Sequence, residues 1–100
     1  MSIVLIGGYD RMHDEYKGIC SKRGHQVKVF TQKPAKFNKV IGNPDWIVLF
    51  TNTVSHVMVQ VAQKEAKRKN IPVLRSHCSS GNSLEEALLQ LEKVAYGRSI

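Results

Sequence analysis

The chain is short of acidic residues, cysteine and long apolar segments, and each shortage narrows the class of protein. Its 100 residues include 15 Lys and Arg but only 8 Asp and Glu, and its two cysteines are Cys20 and Cys78. Two cysteines are too few for the disulfide framework of a small secreted domain. The first apolar run, "IVLI", is too short for a secretory signal and lacks a preceding basic region, and no run approaches the length of a membrane span. We therefore expect a cytoplasmic protein with reduced thiols and no membrane association.

The rest of the composition is typical of one globular domain with an excess of positive charge. Hydrophobic residues make up 42% of the chain and charged residues 23%, and one hundred residues are enough to form a hydrophobic core. Because no linker, low-complexity tract or repeat divides the chain, we expect a single domain over residues 1–100, with the last few residues as a frayed tail. The formal net charge of +7 serves solubility or attracts an anionic partner.

Apolar runs alternate with helical patterns along the chain, which is typical of a parallel α/β sheet. The runs "SIVLI", "QVKVF", "WIVLF" and "IPVL" predict four strands, and "KPAKFNKVIGNP" predicts a short helix. The first and third strands are continuously apolar, whereas Lys28 and Pro72 favour sheet edges for the second and fourth. The sequence therefore predicts a four-stranded parallel sheet of order 2-1-3-4 with right-handed crossovers. The resulting fold is a small flavodoxin-like or Rossmann-like three-layer domain.

Three polar loops are expected to meet at the carboxyl end of this sheet, because the connections after the first and third strands turn to opposite faces. The loops are "GGYDR", "TNTVSH" and "RSHCSSGN" (residues 7–11, 51–56 and 75–82), and we call them the carboxyl-end loops. Glycines allow close backbone approach to a ligand, and helix starts offer free amides to an anion. The candidate ligand-binding residues are Gly7, Gly8, Tyr9, Arg11, Thr51, Asn52, Thr53, Ser55, His56, Arg75, Ser76, Ser79 and Ser80.

Each of these loops also has a purely structural interpretation. Gly7 and Gly8 can serve only a tight turn, since "GGYDRMH" is neither the dinucleotide-binding fingerprint nor a P-loop. Thr53 or Ser55 can act only as a helix N-cap, and His56 can be a solvated residue without a role. Ser83 and Glu86 predict a capping box at the start of the last helix.

Catalysis and metal binding have weaker signals in the sequence. Cys78 paired with His56 or His77 would form a nucleophile and base, but no nearby carboxylate in the sequence would orient the imidazole. We leave enzyme activity open and favour binding without catalysis. The four histidines lack zinc spacing, whereas haem ligation needs only one or two side chains and makes His56, His77 and Cys78 candidates.

A second candidate surface is basic. The segment from residue 22 to residue 39 contains no acid and carries Lys22, Arg23, Lys28, Lys33, Lys36 and Lys39. Phe37 lies among them and is a candidate to stack on a base. This segment is the candidate nucleic-acid face, although no helix-turn-helix or RNA-recognition signature accompanies it.

Three segments, "IVLIGG", "DWIVLFTNTVSH" and "KRKNIPVLRSHCSSGNSLEEAL", resemble a bacterial domain family of unknown function. The resemblance covers Ser2 to Leu91 and is strongest from Asp45 to Ser83. It rests on a Val-Ser-His helix start and an Arg-Ser loop, and so nominates Ser55, His56, Arg75 and Ser76. Members often carry a His followed by Asp and Gly after the second strand, where this chain has "FTQKPAKF", so any role of that His is lost or reassigned. Members have been proposed to bind haem, which the resemblance implies as a candidate cofactor.

Together these patterns predict a domain that binds an anionic small molecule, such as a nucleotide or another phosphate compound. A domain this small has little room to enclose a ligand, so we expect a homodimer in which a second copy completes the site. The alternatives are a nucleic-acid-associated regulatory protein that uses the basic segment and a haem-binding protein.

Overall fold

A computed structural model, which describes residues 1–96, shows a parallel sheet between two layers of helices. The strands are Ser2–Ile6 (β1), Gln26–Phe30 (β2), Trp46–Phe50 (β3) and Val73–Ser76 (β4), and the helices are His13–Lys22 (α1), Phe37–Val40 (α2), His56–Lys69 (α3) and Gly81–Tyr96 (α4). A 3-10 turn at Asp10–Met12 precedes α1. The predicted frayed tail at residues 97–100 lies outside the described residues. No helix within residues 1–96 is long and apolar enough to cross a membrane.

The strand order is β2-β1-β3-β4 with every pair parallel, which confirms the predicted topology. The apolar runs of β1 and β3 occupy the centre because both faces of these strands are covered. Alternation along the strands places Leu5 and Phe50 in one core and Ile6 and Leu49 in the other. The edge strands β2 and β4 are only partly buried.

Each face of the sheet is covered by two helices. Tyr16 and Cys20 of α1 and Leu88 of α4 pack in the core that contains Leu5. On the opposite face, Phe37 of α2 and Met58 of α3 pack in the core that contains Ile6. Each large apolar side chain buried in this way contributes about 1.5–3 kcal/mol. The three-layer α/β domain is thereby confirmed.

The starts of β4 and α4 differ from the predicted ones. Strand β4 begins at Val73 rather than at Ile71; Pro72 has no N–H, and its carbonyl accepts from the Ile47 N–H just before the strand. The capping-box prediction is wrong, because α4 begins at Gly81. The Ser80 hydroxyl accepts the Ser83 N–H at 3.1 Å and acts as the cap instead.

A charged cluster that sequence reasoning missed joins the end of α1 to α4. Glu92 accepts from Arg23 Nε at 2.8 Å and lies 2.7 Å from Nε2 of the buried His25. The Arg23 guanidinium lowers the pKa of Glu92 to about 2, and His25 contributes a smaller lowering. Burial acts in the opposite direction. Glu92 is far in sequence from Arg23 and His25, and the packing of α4 beside α1 brings them together.

Candidate functional site

The carboxyl-end loops meet because neighbouring strands hold them at their bases. The Gly7 N–H donates to the Phe30 carbonyl and the Thr51 N–H to the Ser76 carbonyl, each at 2.9 Å. Gly7 and Gly8 have φ of 100° and 90°, a region that favours glycine. A Cβ at Gly8 would also lie 2.6 Å from the Tyr16 ring. The predicted tight turn is therefore present, and both glycines are needed for it.

A continuous chain of hydrogen bonds connects all three loops. The Gly8 N–H donates to Thr53 Oγ1 at 2.7 Å, and Thr53 Oγ1 lies 2.8 Å from Ser79 Oγ. The Ser79 hydroxyl donates to Asn52 Oδ1 at 2.6 Å, so its oxygen is free to accept the Thr53 proton. Ser79 is only 3% exposed. We call Gly8, Thr53, Ser79 and Asn52 the loop hydrogen-bond chain, and it fixes the three loops relative to one another.

Tyr16 supports the same loops from below. Its hydroxyl donates to the Ser79 carbonyl at 2.7 Å and accepts the Tyr9 N–H at 3.3 Å. Its ring packs against Phe50 with centroids 5.3 Å apart, and burial raises the pKa of this phenol. Sequence reasoning did not include Tyr16 among the site residues. The available signal was that a buried Tyr needs a partner for its hydroxyl.

Several polar groups remain exposed above this chain. The Asn52 side chain is exposed, and within residues 1–96 its amide nitrogen donates to no other group. Thr51 Oγ1 lies 3.4 Å from His77 Nδ1, and His56 Nε2 lies 3.2 Å from Gln60 Nε2. The Arg11 guanidinium lies over the Tyr9 ring at 4.9 Å. Donors from all three loops are therefore available at one end of the sheet.

Other predicted site residues have local partners instead. The Ser55 hydroxyl accepts the Met58 N–H at 3.2 Å and caps α3. The Ser76 hydroxyl donates to the Cys78 carbonyl at 2.9 Å, and Ser80 caps α4. Arg75 pairs in register with Leu49, so its side chain lies on the α3 side of the sheet, where it lines a groove with Lys67. These four residues lie outside the loop hydrogen-bond chain.

Asp10 is a hydrogen-bonded carboxylate in the first carboxyl-end loop that sequence reasoning did not consider. It accepts hydrogen bonds from the Thr31 hydroxyl and from Gln32 Nε2, the latter at 2.7 Å. The Thr31 hydroxyl, followed by the Gln32 amide, lowers the pKa of this carboxyl. Asp10 is therefore ionised and hydrogen-bonded to the loop after β2, and its negative charge stays within the first carboxyl-end loop.

The candidate catalytic and haem-ligating side chains do not form a centre within residues 1–96. Cys78 is exposed and has no hydrogen bond to His56 or His77, while Cys20 is buried, which raises its pKa to about 11. No group of three His, Cys, Asp or Glu side chains in this part of the chain could hold a metal ion. His56, His77 and Cys78 are each exposed, and haem ligation by these side chains stays a prediction.

The six basic residues are distributed over both helical layers, and their role as a nucleic-acid face stays a prediction. Lys22 and Arg23 lie at the end of α1, and Arg23 is paired with Glu92. Lys28 pairs in register with Val4 and therefore lies on the α2–α3 side, where Lys33, Lys36 and Lys39 flank or belong to α2. The expectation that Phe37 stacks on a base is wrong, because it is 2% exposed and packs against Phe30 in the core.

A parallel sheet of order 2-1-3-4 with linked loops at its carboxyl end defines a small α/β domain of the Rossmann-like class. The family model described as an uncharacterized protein conserved in bacteria (DUF2325) matches residues 2–91, and the chain belongs to this family. No curated protein and no solved structure gives a significant match.

Proposed function

We propose that this chain is a non-catalytic domain that binds an anionic small ligand, a nucleotide or another phosphate compound, at the carboxyl-end loops. The observation that carries the proposal is the loop hydrogen-bond chain from Gly8 through Thr53 and Ser79 to Asn52. It uses the Asn52 carbonyl oxygen as its last acceptor and leaves the amide donors of Asn52 facing solvent. Loops that are already fixed lose little conformational entropy when a ligand binds.

The electrostatics of this end of the sheet favour an anion. Helices α3 and α4, of 14 and 16 residues, both begin here, and their N-terminal ends carry partial positive charge. Arg11, His56 and His77 add donors from the same three loops, and the single carboxylate in these loops, Asp10, is hydrogen-bonded to Thr31 and Gln32. A phosphate or carboxylate group is the chemistry that complements this set.

The histidines support binding without catalysis, and the cysteines support a reducing compartment. His56 contacts Gln60 and His77 contacts Thr51, so within residues 1–96 neither imidazole is oriented by a carboxylate or paired with a thiol. Both cysteines are free thiols, as is common in the cytoplasm, where we place this function.

We further propose that a second copy of the chain completes the site. Tyr9, within the first carboxyl-end loop, and Val57, directly after the second, are 41% and 50% exposed, and exposed apolar side chains at a ligand site suit an isologous contact. Sedimentation is expected to give twice the chain mass, with Val57→Asp shifting the protein to monomer. A wild-type monomer that binds ligand tightly would contradict this step.

Asn52→Asp is the sharpest test of the binding proposal. The aspartate keeps an acceptor for Ser79 but replaces the amide donors with a negative charge. Calorimetry with pyrophosphate and with ADP is expected to show binding that Asn52→Asp weakens by roughly tenfold or more. Asn43→Asp, the same change in the exposed loop before β3 at the opposite end of the sheet, is the matched control and should leave this affinity within about twofold.

Equal weakening by both substitutions would show that only net charge matters and would contradict a specific site. A Soret band that follows addition of haem and is lost in His56→Ala or His77→Ala would identify haem, rather than a phosphate compound, as the ligand.

A further inference from the structure

A separate cavity of about 320 Å³ lies between the loop before α2 and the middle of α3. The loop and α2 contribute Lys33, Lys36 and Asn38, and α3 contributes Lys64 and Glu65. None of the carboxyl-end loop residues lines it. Its volume is within the range of small-ligand sites.

The cavity carries positive charge that the chain does not neutralise. Within residues 1–96, no hydrogen bond or ion pair involves the amino groups of Lys33, Lys36 or Lys64. The single carboxylate of the lining, Glu65, is bound by Arg68 at 2.7 Å and lies 3.4 Å from Lys69. Residues 22–44 contain no acid.

The position of Glu65 explains why it does not serve these lysines. Its side chain is 6% exposed and is directed toward the end of α3, where Arg68 lowers its pKa most strongly and Lys69 adds to the effect. Lys69 is itself held by the Gly42 carbonyl at 2.7 Å. The acid is therefore committed to two other cations, and three amino groups remain for a ligand.

The cavity offers no aromatic surface to a base. Phe37 lines it, but its ring is buried against Phe30 with centroids 5.3 Å apart. Recognition through stacking needs an exposed aromatic face. The groups that can contact a ligand are amino groups and the Asn38 amide, which bind phosphate oxygens and do not distinguish bases.

We propose that the α2–α3 cavity is a second binding site, which takes a chain of phosphates, either a free oligophosphate or the backbone of a nucleic acid, and does not read bases. This site is independent of the function proposed for the carboxyl-end loops. It uses lysines from two elements that are distant in sequence, Lys33 and Lys36 on one side and Lys64 on the other.

The test is a titration of ¹⁵N-labelled protein with tripolyphosphate at low salt, followed by amide chemical shifts. Shifts are expected to concentrate at residues 33–38 and 61–65. Lys36→Asn and Lys64→Gln should each weaken binding by roughly three- to tenfold, and the double variant by more. Asparagine tolerates the left-handed conformation of Lys36, φ 54°, so Lys36→Asn removes the amino group while keeping a residue that suits this backbone.

Lys17→Gln and Lys93→Gln are matched controls, because both lysines are exposed on helices of the opposite layer. They should leave the affinity within about twofold. Equal weakening by the control variants, or unchanged affinity in Lys36→Asn and Lys64→Gln, would overturn the proposal. Shifts confined to residues 7–11, 51–56 and 77–82 would also overturn it, while supporting the carboxyl-end site.

Two further ligands identify the source of the phosphates. A single-stranded oligothymidylate that displaces tripolyphosphate, with the same dependence on Lys36 and Lys64, indicates a nucleic-acid backbone. Failure to displace it indicates a free oligophosphate. AMP should bind this cavity more weakly than tripolyphosphate; equal or tighter binding of AMP in the cavity would contradict recognition by phosphate alone.

Discussion

At the scale of single residues, Gly8 shows how closely the backbone approaches its neighbours beside the candidate site. Its φ is 90° and an added Cβ would lie 2.6 Å from the Tyr16 ring. Gly18, in the interior of α1, has nothing within 4 Å of an added Cβ. An added methyl group would therefore clash at Gly8 and would be accommodated at Gly18.

We predict that Gly8→Ala lowers the free energy of unfolding by about 2 kcal/mol or more, through backbone strain and the clash with Tyr16. Gly18→Ala should raise it by about 0.5–1 kcal/mol, because alanine is the better helix former. Urea denaturation of both variants measures the difference. Similar stability changes of the same sign would contradict this account of the turn.

Thr53 occupies the centre of the loop hydrogen-bond chain, and its hydroxyl is the group to remove. Thr53→Val leaves the Gly8 N–H without its acceptor and should lower the free energy of unfolding by about 1–3 kcal/mol. Thr53→Ser keeps the hydroxyl and should cost less than about 1 kcal/mol. The denaturant midpoints of the two variants give the comparison. A valine variant as stable as the serine variant would show that the loop hydrogen-bond chain contributes nothing to the stability of the protein.

At the scale of elements, the junction of α1, β2 and α4 depends on the charge of Glu92. Its pKa is about 2 in the folded chain against an ordinary 4.5. A depressed folded-state pKa stabilises the fold fully above about pH 4.5, and this contribution is lost as the pH falls toward about 2.

We predict that Glu92→Gln destabilises the protein by about 1–2 kcal/mol near neutral pH, since it weakens charged hydrogen bonds to Arg23 and His25. The difference from wild type should shrink as the pH falls from about 4.5 toward 2. Denaturation curves at several pH values measure it. A difference that is constant over this range would assign the effect to something other than the charge of Glu92.

The ends of elements also mark how far the sequence can be interpreted. Continuous apolar runs in β1 and β3 and the interruptions at Lys28 and Pro72 were sufficient to predict the sheet order. The start of β4 and the cap of α4 were not predicted correctly, because Ser80 and Ser83 are both acceptable caps and only the helix start at Gly81 decides between them.

At the scale of the whole molecule, long-range contacts were the features that sequence reasoning could not supply. The topology predicted that the carboxyl-end loops meet, but the hydrogen bond between Thr53 and Ser79 depends on side-chain rotamers. Lys64 joins Lys33 and Lys36 only because α3 packs beside α2. Charge was visible in the composition, whereas its division between two layers required the register of Lys28 with Val4.

The division of charge yields two distinct anion-binding proposals on one small domain. The carboxyl-end loops offer fixed donors with few formal charges, and the α2–α3 cavity offers three amino groups without aromatic surface. Because the two groups of residues do not overlap, a measurement that reports on individual amides separates them.

The most direct test of the central claim is a titration of ¹⁵N-labelled wild-type protein with pyrophosphate, compared with Asn52→Asp. We predict saturable shifts at the amides of Gly8, Thr51, Asn52, Thr53 and Ser79, with affinity reduced roughly tenfold or more in the variant. Shifts restricted to residues 33–38 and 61–65, or no saturable shift at these five amides at about 10 mM pyrophosphate, would contradict an anion site at the carboxyl end of the sheet.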